Sequence, residues 1–218
     1  MDRIFRWIGL WIICGALVCA LAGCQIVEPE KRAYPLVLGI DEQDGEYQVY
    51  FGMAGLASMT GQGKGGEEDS QGGSGQGALL FTGKDQEEIL DAYEKSQELY
   101  LDVGHVQAVI FGQDLCAETD KLVEVLKAME QKSTLGNAAY VYRTRDLAGV
   151  METNGNQVES LGEYLSGIYE NRTDSEKPLI LRRVYSTLHN EKRVEEFPMI
   201  TLKENGISVQ MESSGKSV

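Results

Sequence analysis

The tetrapeptide Leu21-Ala22-Gly23-Cys24 constrains this chain more than any other stretch. It closes an apolar run from Trp7 to Ala20, and Arg3 and Arg6 precede that run. A basic start, an apolar middle and small residues at a cut are the parts of a secretory signal. A cysteine just past the cut makes the stretch a lipobox. The Cys24 thiol accepts a diacylglyceryl group, Ala22 and Gly23 fit a tight protease subsite, and cleavage falls before Cys24. The run from Trp7 to Ala22 falls short of the roughly 20 residues a bilayer-spanning helix needs. Residues 1–23 are therefore read as a signal peptide, and Cys24 as the lipidated residue of a chain held at the outer face of a membrane. Two or three acyl chains suffice for stable anchoring, where one would bind only reversibly.

This reading limits what can hold the fold together. Of the four cysteines, Cys14 and Cys19 leave with the signal and Cys24 carries lipid, so Cys116 alone remains. No internal disulfide and no cysteine metal site can form, and stability must come from an apolar core. The formal net charge of −14 becomes one unit more negative once Asp2, Arg3 and Arg6 are removed. Such acidity, without a lysine–arginine cluster, opposes nucleic acid as a partner.

Residues 24–35 read as a tether, with Pro29 and Pro35 resisting regular structure. Leu36–Asp41 is a buried strand, and Asp44-Gly45 a hairpin turn into Tyr47–Met53, paired antiparallel. Residues 61–77 hold glycines at eight positions (61, 63, 65, 66, 72, 73, 75, 77). Gly61, Gly63 and Gly66 spell a dinucleotide fingerprint, but Glu67-Glu68-Asp69 follows where a phosphate-binding helix would have to start. The stretch reads as a flexible insertion. Leu79–Phe81 is a short strand, and Thr82 is read as the cap of a helix from Asp85 to Leu101, with Ile89, Leu90, Tyr93, Leu99 and Tyr100 near one face. His105–Gly112 reads as a strand. A helix over Leu115–Lys132 buries Leu122, Val123, Val125, Leu126 and Met129. A strand at Asn137–Arg143 follows, then helices at Asp146–Met151, at Val158–Glu170 and from Pro178 to His189. Met199–Leu202 and Gly206–Met211 form a last hairpin. Strands alternating with helices from 79 to 143 imply crossover units, hence an α/β (α+β) fold with a mixed sheet flanked by helices.

Candidate chemistry is sparse. His105 at a strand entry is read as bonding a backbone carbonyl, and His189 as complementing a helix dipole. Cys116 opens a helix, which can activate a thiol, but a small buried residue explains it more simply. Glu87, Glu88, Glu94 and Glu98 form a solvated helix face. No nucleophile elbow, P-loop or zinc spacing is present, and Asn171-Arg172-Thr173 is a sequon without evident meaning in an anchored bacterial chain. No catalytic, cofactor or metal residue is assigned.

The order of the pieces goes further than any one of them. A lipobox cysteine, a strand ending in Gly39-Ile40-Asp41, a hairpin, a helix with Ile89-Leu90 and Ala92, and Leu101 through Gly112 follow one another. The helix at Leu122–Met129, the strand at 138–142 and Phe197-Pro198-Met199-Ile200 complete the series. In this order the chain resembles the Ger(x)C lipoproteins, the C subunits of bacterial spore germinant receptors, from Cys24 to about Met211. Gln25 stands where the family commonly has tryptophan. Family members usually carry a further C-terminal domain, so the chain resembles their N-terminal part: residues 36–192 are the α/β domain, and 193–218 a hairpin and tail that begin a truncated second domain. The resemblance implies a non-enzymatic subunit on the spore inner membrane, in contact with integral-membrane A- and B-type receptor subunits. Its work would be receptor assembly or nutrient-signal coupling. The alternatives are a solute-binding lipoprotein of a transporter and an anchored hydrolase with a carboxylate pair.

Overall fold

Asp44 and Gly45 both have positive φ, 54° and 86°, the two-residue type I′ turn whose twist suits antiparallel strands. Around this turn β1 (Pro35–Gln43) and β2 (Glu46–Met53) pair in register from Gln43↔Glu46 outward. The structure, a computed structural model, describes residues 29–53, 78–132, 134–170, 179–203 and 206–210. The signal peptide, Cys24, the glycine-rich stretch 61–77, the sequon and Pro178 lie outside them.

The other strands of the main sheet are β3 (Ala78–Gly83), β4 (Ala108–Phe111), β5 (Tyr140–Thr144), β6 (Met199–Lys203) and β7 (Gly206–Gln210). All belong to one seven-stranded mixed sheet of order β3-β2-β1-β4-β5-β6-β7. Pairings β1–β4, β4–β5 and β5–β6 are parallel, and antiparallel hairpins close both edges. The expected α/β fold is present. The terminal hairpin, set apart in the sequence reading, is two strands of this same sheet.

Six helices accompany the sheet among the described residues: α1 (Gln86–Ser96), α2 (Gln113–Ala117), α3 (Thr119–Gln131), α4 (Leu147–Glu152), α5 (Leu161–Glu170) and α6 (Leu181–Glu191). One face, with Leu38, Ile40, Val49, Phe51, Val109, Phe111 and Val141, packs against α1, α2, α3 and α6. The other, with Val37, Tyr50, Ala108, Ile110, Tyr142 and Ile200, packs against α4 and α5. Coverage on both faces explains why β1 and β4 are apolar runs instead of alternating ones. Leu115, Leu126, Leu161 and Leu165 are fully buried, and truncating any one to alanine costs about 2–5 kcal/mol. Polar ties fix α5: the Tyr142 hydroxyl donates to the Leu165 carbonyl at 2.9 Å, and Asn154 accepts from the Leu161 N–H while donating to the Met53 carbonyl.

Several element boundaries differ from expectation, each for a local reason. Asp85, not Thr82, caps α1: its carboxylate accepts from the N–H groups of Glu87 and Glu88, while Thr82 pairs with Gln48 inside the sheet. The helix stops at Ser96, not Leu101. Beyond it the Asp102 N–H donates to the Ala33 carbonyl at 2.9 Å, drawing the segment alongside the incoming chain and leaving Leu99 and Tyr100 exposed. The strand expected from His105 starts at Ala108, because Val103–His105 forms a 3-10 turn capped by Asp102. The helix expected over Leu115–Lys132 is two helices, with Glu118 outside helical geometry at φ −103°, ψ 84°. Residues Leu179 to Arg182 bond the backbone of Asn137, Ala139 and Val141, so α6 begins at Leu181 instead of Pro178. From Ala33 on the chain is one compact unit. Of the residues before it, the described ones form the turn Pro29–Lys31 and Arg32.

Candidate functional site: an apolar groove between two helices

Both α1 and α3 turn a full-length stripe toward a shared groove over the sheet. On α1 the stripe is Gln86, Ile89, Leu90, Tyr93, Glu94 and, just past the helix, Gln97. On α3 it is Lys121, Glu124, Val125, Ala128, Met129 and, just past the helix, Lys132. Both follow the i, i+3, i+4, i+7, i+8, i+11 spacing of one helix face, three turns or about 16 Å long. The floor is Leu38, Ile40, Val49 and Phe51, and Leu101, Val103 and Leu135 add to the apolar lining. The volume is about 1120 Å³. Leu90, Val125 and Ala128 are half-buried instead of buried, so the facing sides of the two helices are not sealed against each other. Under α1 the rings of Phe51, Phe81 and Tyr93 pack at centroid distances of 5.3–5.9 Å, a rigid wall.

Charge at the groove is arranged unevenly. Glu42, buried at the end of β1, binds Lys121 at 2.9 Å, and Lys121 also reaches Glu118 at 3.1 Å. Glu42 further accepts the Gly45 N–H at 2.7 Å, tying the turn to α3. The Lys121 hydrogen bond holds the Glu42 carboxyl below its ordinary range, and Glu42 in turn raises Lys121. Glu94, Glu98 and Glu124 stand exposed along the walls.

The residues of the Gly39-Ile40-Asp41 and Phe111-Gly112 motifs meet at the ends of β1 and β4. The Asp41 carboxylate accepts the N–H groups of Leu115 and Glu42, each at 2.9 Å. Burial outweighs these bonds and moves the carboxyl above its ordinary value. These motif residues are therefore a joint between sheet and helix. No local signal reveals it, because Asp41 and Leu115 are 74 positions apart.

The other singled-out residues do not converge. His105 is exposed, its ring edge-on to Tyr34 at 4.7 Å in place of the expected carbonyl bond. His189 pairs with Glu130 at 2.8 Å, linking α6 to α3, a partner that helix-dipole reasoning missed. Cys116 is half-buried, and burial pushes its thiol up to about 12, the opposite of an activated nucleophile. Glu87, Glu88, Glu94 and Glu98 are exposed as expected. Among the described residues no three His, Cys, Asp or Glu side chains gather to hold a metal, and no helix is long and apolar enough to cross a membrane. Cys24 lies outside them, as does the tempting Gly61-Gly63-Gly66 pattern. The groove itself was missed by sequence reasoning, which treated both helix stripes as core.

The family model described as "Spore germination protein N-terminal domain" matches residues 25–202. No curated protein and no solved structure matches the chain.

Proposed function

The chain belongs to the spore germination protein N-terminal domain family, and on that premise we propose that it is a non-enzymatic, lipid-anchored subunit of a spore germinant receptor. Its role in germination is assembly of the receptor or coupling of the nutrient signal, in contact with integral-membrane A- and B-type subunits. Cys24 carries the lipid at the extracytoplasmic face of the spore inner membrane. The family match carries this reading, and it begins at residue 25, directly after the lipobox cysteine. The groove supports it in kind: helix stripes facing each other over an apolar floor suit recognition of a partner surface. In spores, Cys24→Ala should leave an uncleaved or unlipidated precursor, lost from the inner membrane fraction, and slow nutrient-triggered germination. A variant that is normally processed and anchored would refute the lipoprotein assignment.

The groove volume also admits a second reading, an extracytoplasmic solute-binding lipoprotein, since about 1120 Å³ lies just above the usual size of small-molecule pockets, about 300–1,000 Å³. A nutrient that raises the melting temperature of the purified protein in proportion to its concentration would select that reading.

A further inference from the structure

We propose that the groove between α1 and α3 seats an amphipathic helix of about three turns, apolar on the buried face and bearing lysine or arginine beside it, supplied by an integral-membrane partner. This rests on the receptor-subunit reading and names the surface and the chemistry through which it would act.

Three observations define the occupant. The two walls present parallel i, i+3, i+4 stripes along their whole length, leaving Leu90, Val125 and Ala128 half-covered above a floor of Leu38, Ile40, Val49 and Phe51. A recess walled by two helices over three turns takes a third helix ridge into its groove. The charge beside it is acidic: Glu94, Glu98 and Glu124 are exposed, whereas Lys121 is already engaged by Glu42 and Glu118. Lys84 and Lys132 lie beyond the N-terminal end of α1 and the C-terminal end of α3. An occupant with basic residues beside its apolar stripe matches this field. A second copy of a chain of net charge −14 does not, and neither does an anionic lipid surface.

The third observation is position. Leu99 and Tyr100, 40% and 60% exposed, extend the groove into an apolar lip. That lip precedes Asp102, which bonds Ala33, where the chain enters the domain. The stretch from Cys24 to Ala33 reaches at most about 30 Å, so a lipid at Cys24 keeps the lip within that distance, plus the few residues between, of the bilayer. A helix next to a membrane span is within range, and a freely diffusing protein gains nothing from the tether.

The test uses the full lipidated protein in spore membranes, with a photo-crosslinking benzoylphenylalanine replacing Leu90 or Val125, and as control Leu80, exposed on β3 opposite Tyr50 and so on the other face of the sheet. The expected adduct maps, by mass spectrometry, to an amphipathic lysine- or arginine-bearing segment adjoining a membrane span, and is absent from position 80. Glu94→Lys, Glu98→Lys and Glu124→Lys together change exposed side chains and should leave folding intact while cutting adduct yield about tenfold. Adducts to a second copy, to lipid or to the chain itself, equal yield from position 80, or no adduct overturn the proposal. If receptor subunits still co-purify in those cases, the subunit reading stands and only the groove assignment falls. If none co-purify, both fall.

Discussion

A Cβ added to Gly112 would fall within the Asp41 carboxylate. The two residues sit at the ends of neighbouring parallel strands, β1 and β4, and the approach lets Asp41 receive the Leu115 N–H at the start of α2. Glycine at 112 is thus required by contact, with φ at an ordinary −73°. Gly112→Ala should destabilise the fold by about 1–3 kcal/mol through overpacking, and Asp41→Ala by about 0.5–2 kcal/mol through loss of the helix-start acceptor. The double variant should cost clearly less than the sum, because removing the carboxylate makes room for the methyl group. Urea unfolding of the four proteins measures this.

The neighbouring carboxylates Asp41 and Glu42 should respond to pH in opposite senses. Glu42 is lowered by Lys121, so its contribution is complete above the ordinary glutamate value and is lost as pH falls through its folded value. Lys121 is raised by Glu42, so its share is complete below the ordinary lysine value and lost as pH rises through the raised one. Asp41 is raised by burial, so its share is present at low pH and lost as pH rises through that raised value. Urea midpoints from pH 3 to 7 should therefore fall less steeply toward acid in Glu42→Gln, and more steeply in Asp41→Asn.

Much of the fold is legible in the sequence where the determinant is local. Asp44-Gly45 names its turn, the apolar runs within 36–41 and 105–112 name central strands, and the α3 spacing names Leu122, Leu126 and Met129 as buried, while Val123 and Val125, expected to be buried with them, are only half-buried. Errors arise where a distant group decides. Leu99 and Tyr100 fit the apolar stripe of α1, but the bond from Asp102 to Ala33 follows another path. Pro178 is a good helix starter, yet backbone bonds to 137–141 keep Leu179 and Ile180 extended. The groove is hidden for a related reason. Periodicity tells which side of a helix is apolar, and does not tell whether its neighbour closes over that side.

Tyr185 on α6 is 5% exposed, and its hydroxyl has no hydrogen-bond partner among the described residues. Burial, with some repulsion from Glu130, pushes the phenol well above its ordinary value. Tyr185→Phe should raise stability by about 1 kcal/mol, since it removes an unmet polar group and keeps the ring. A loss of that size in thermal or urea unfolding would show that the hydroxyl is satisfied in solution.

Cys116 should be nearly inert. With its thiol pushed up to about 12 by burial, the native protein at pH 8 should react with a disulfide reagent roughly a hundredfold or more slowly than the urea-unfolded chain. Comparable rates would place the thiol at an active, open site.

The most direct measurement is recovery of the tagged, lipidated protein from detergent-solubilised spore inner membranes, with Cys24→Ala as control. Integral-membrane germinant-receptor subunits should co-purify with the parent protein and be lost with the variant. Recovery of the membrane-anchored protein alone, from spores that contain those subunits, would contradict its place in the receptor.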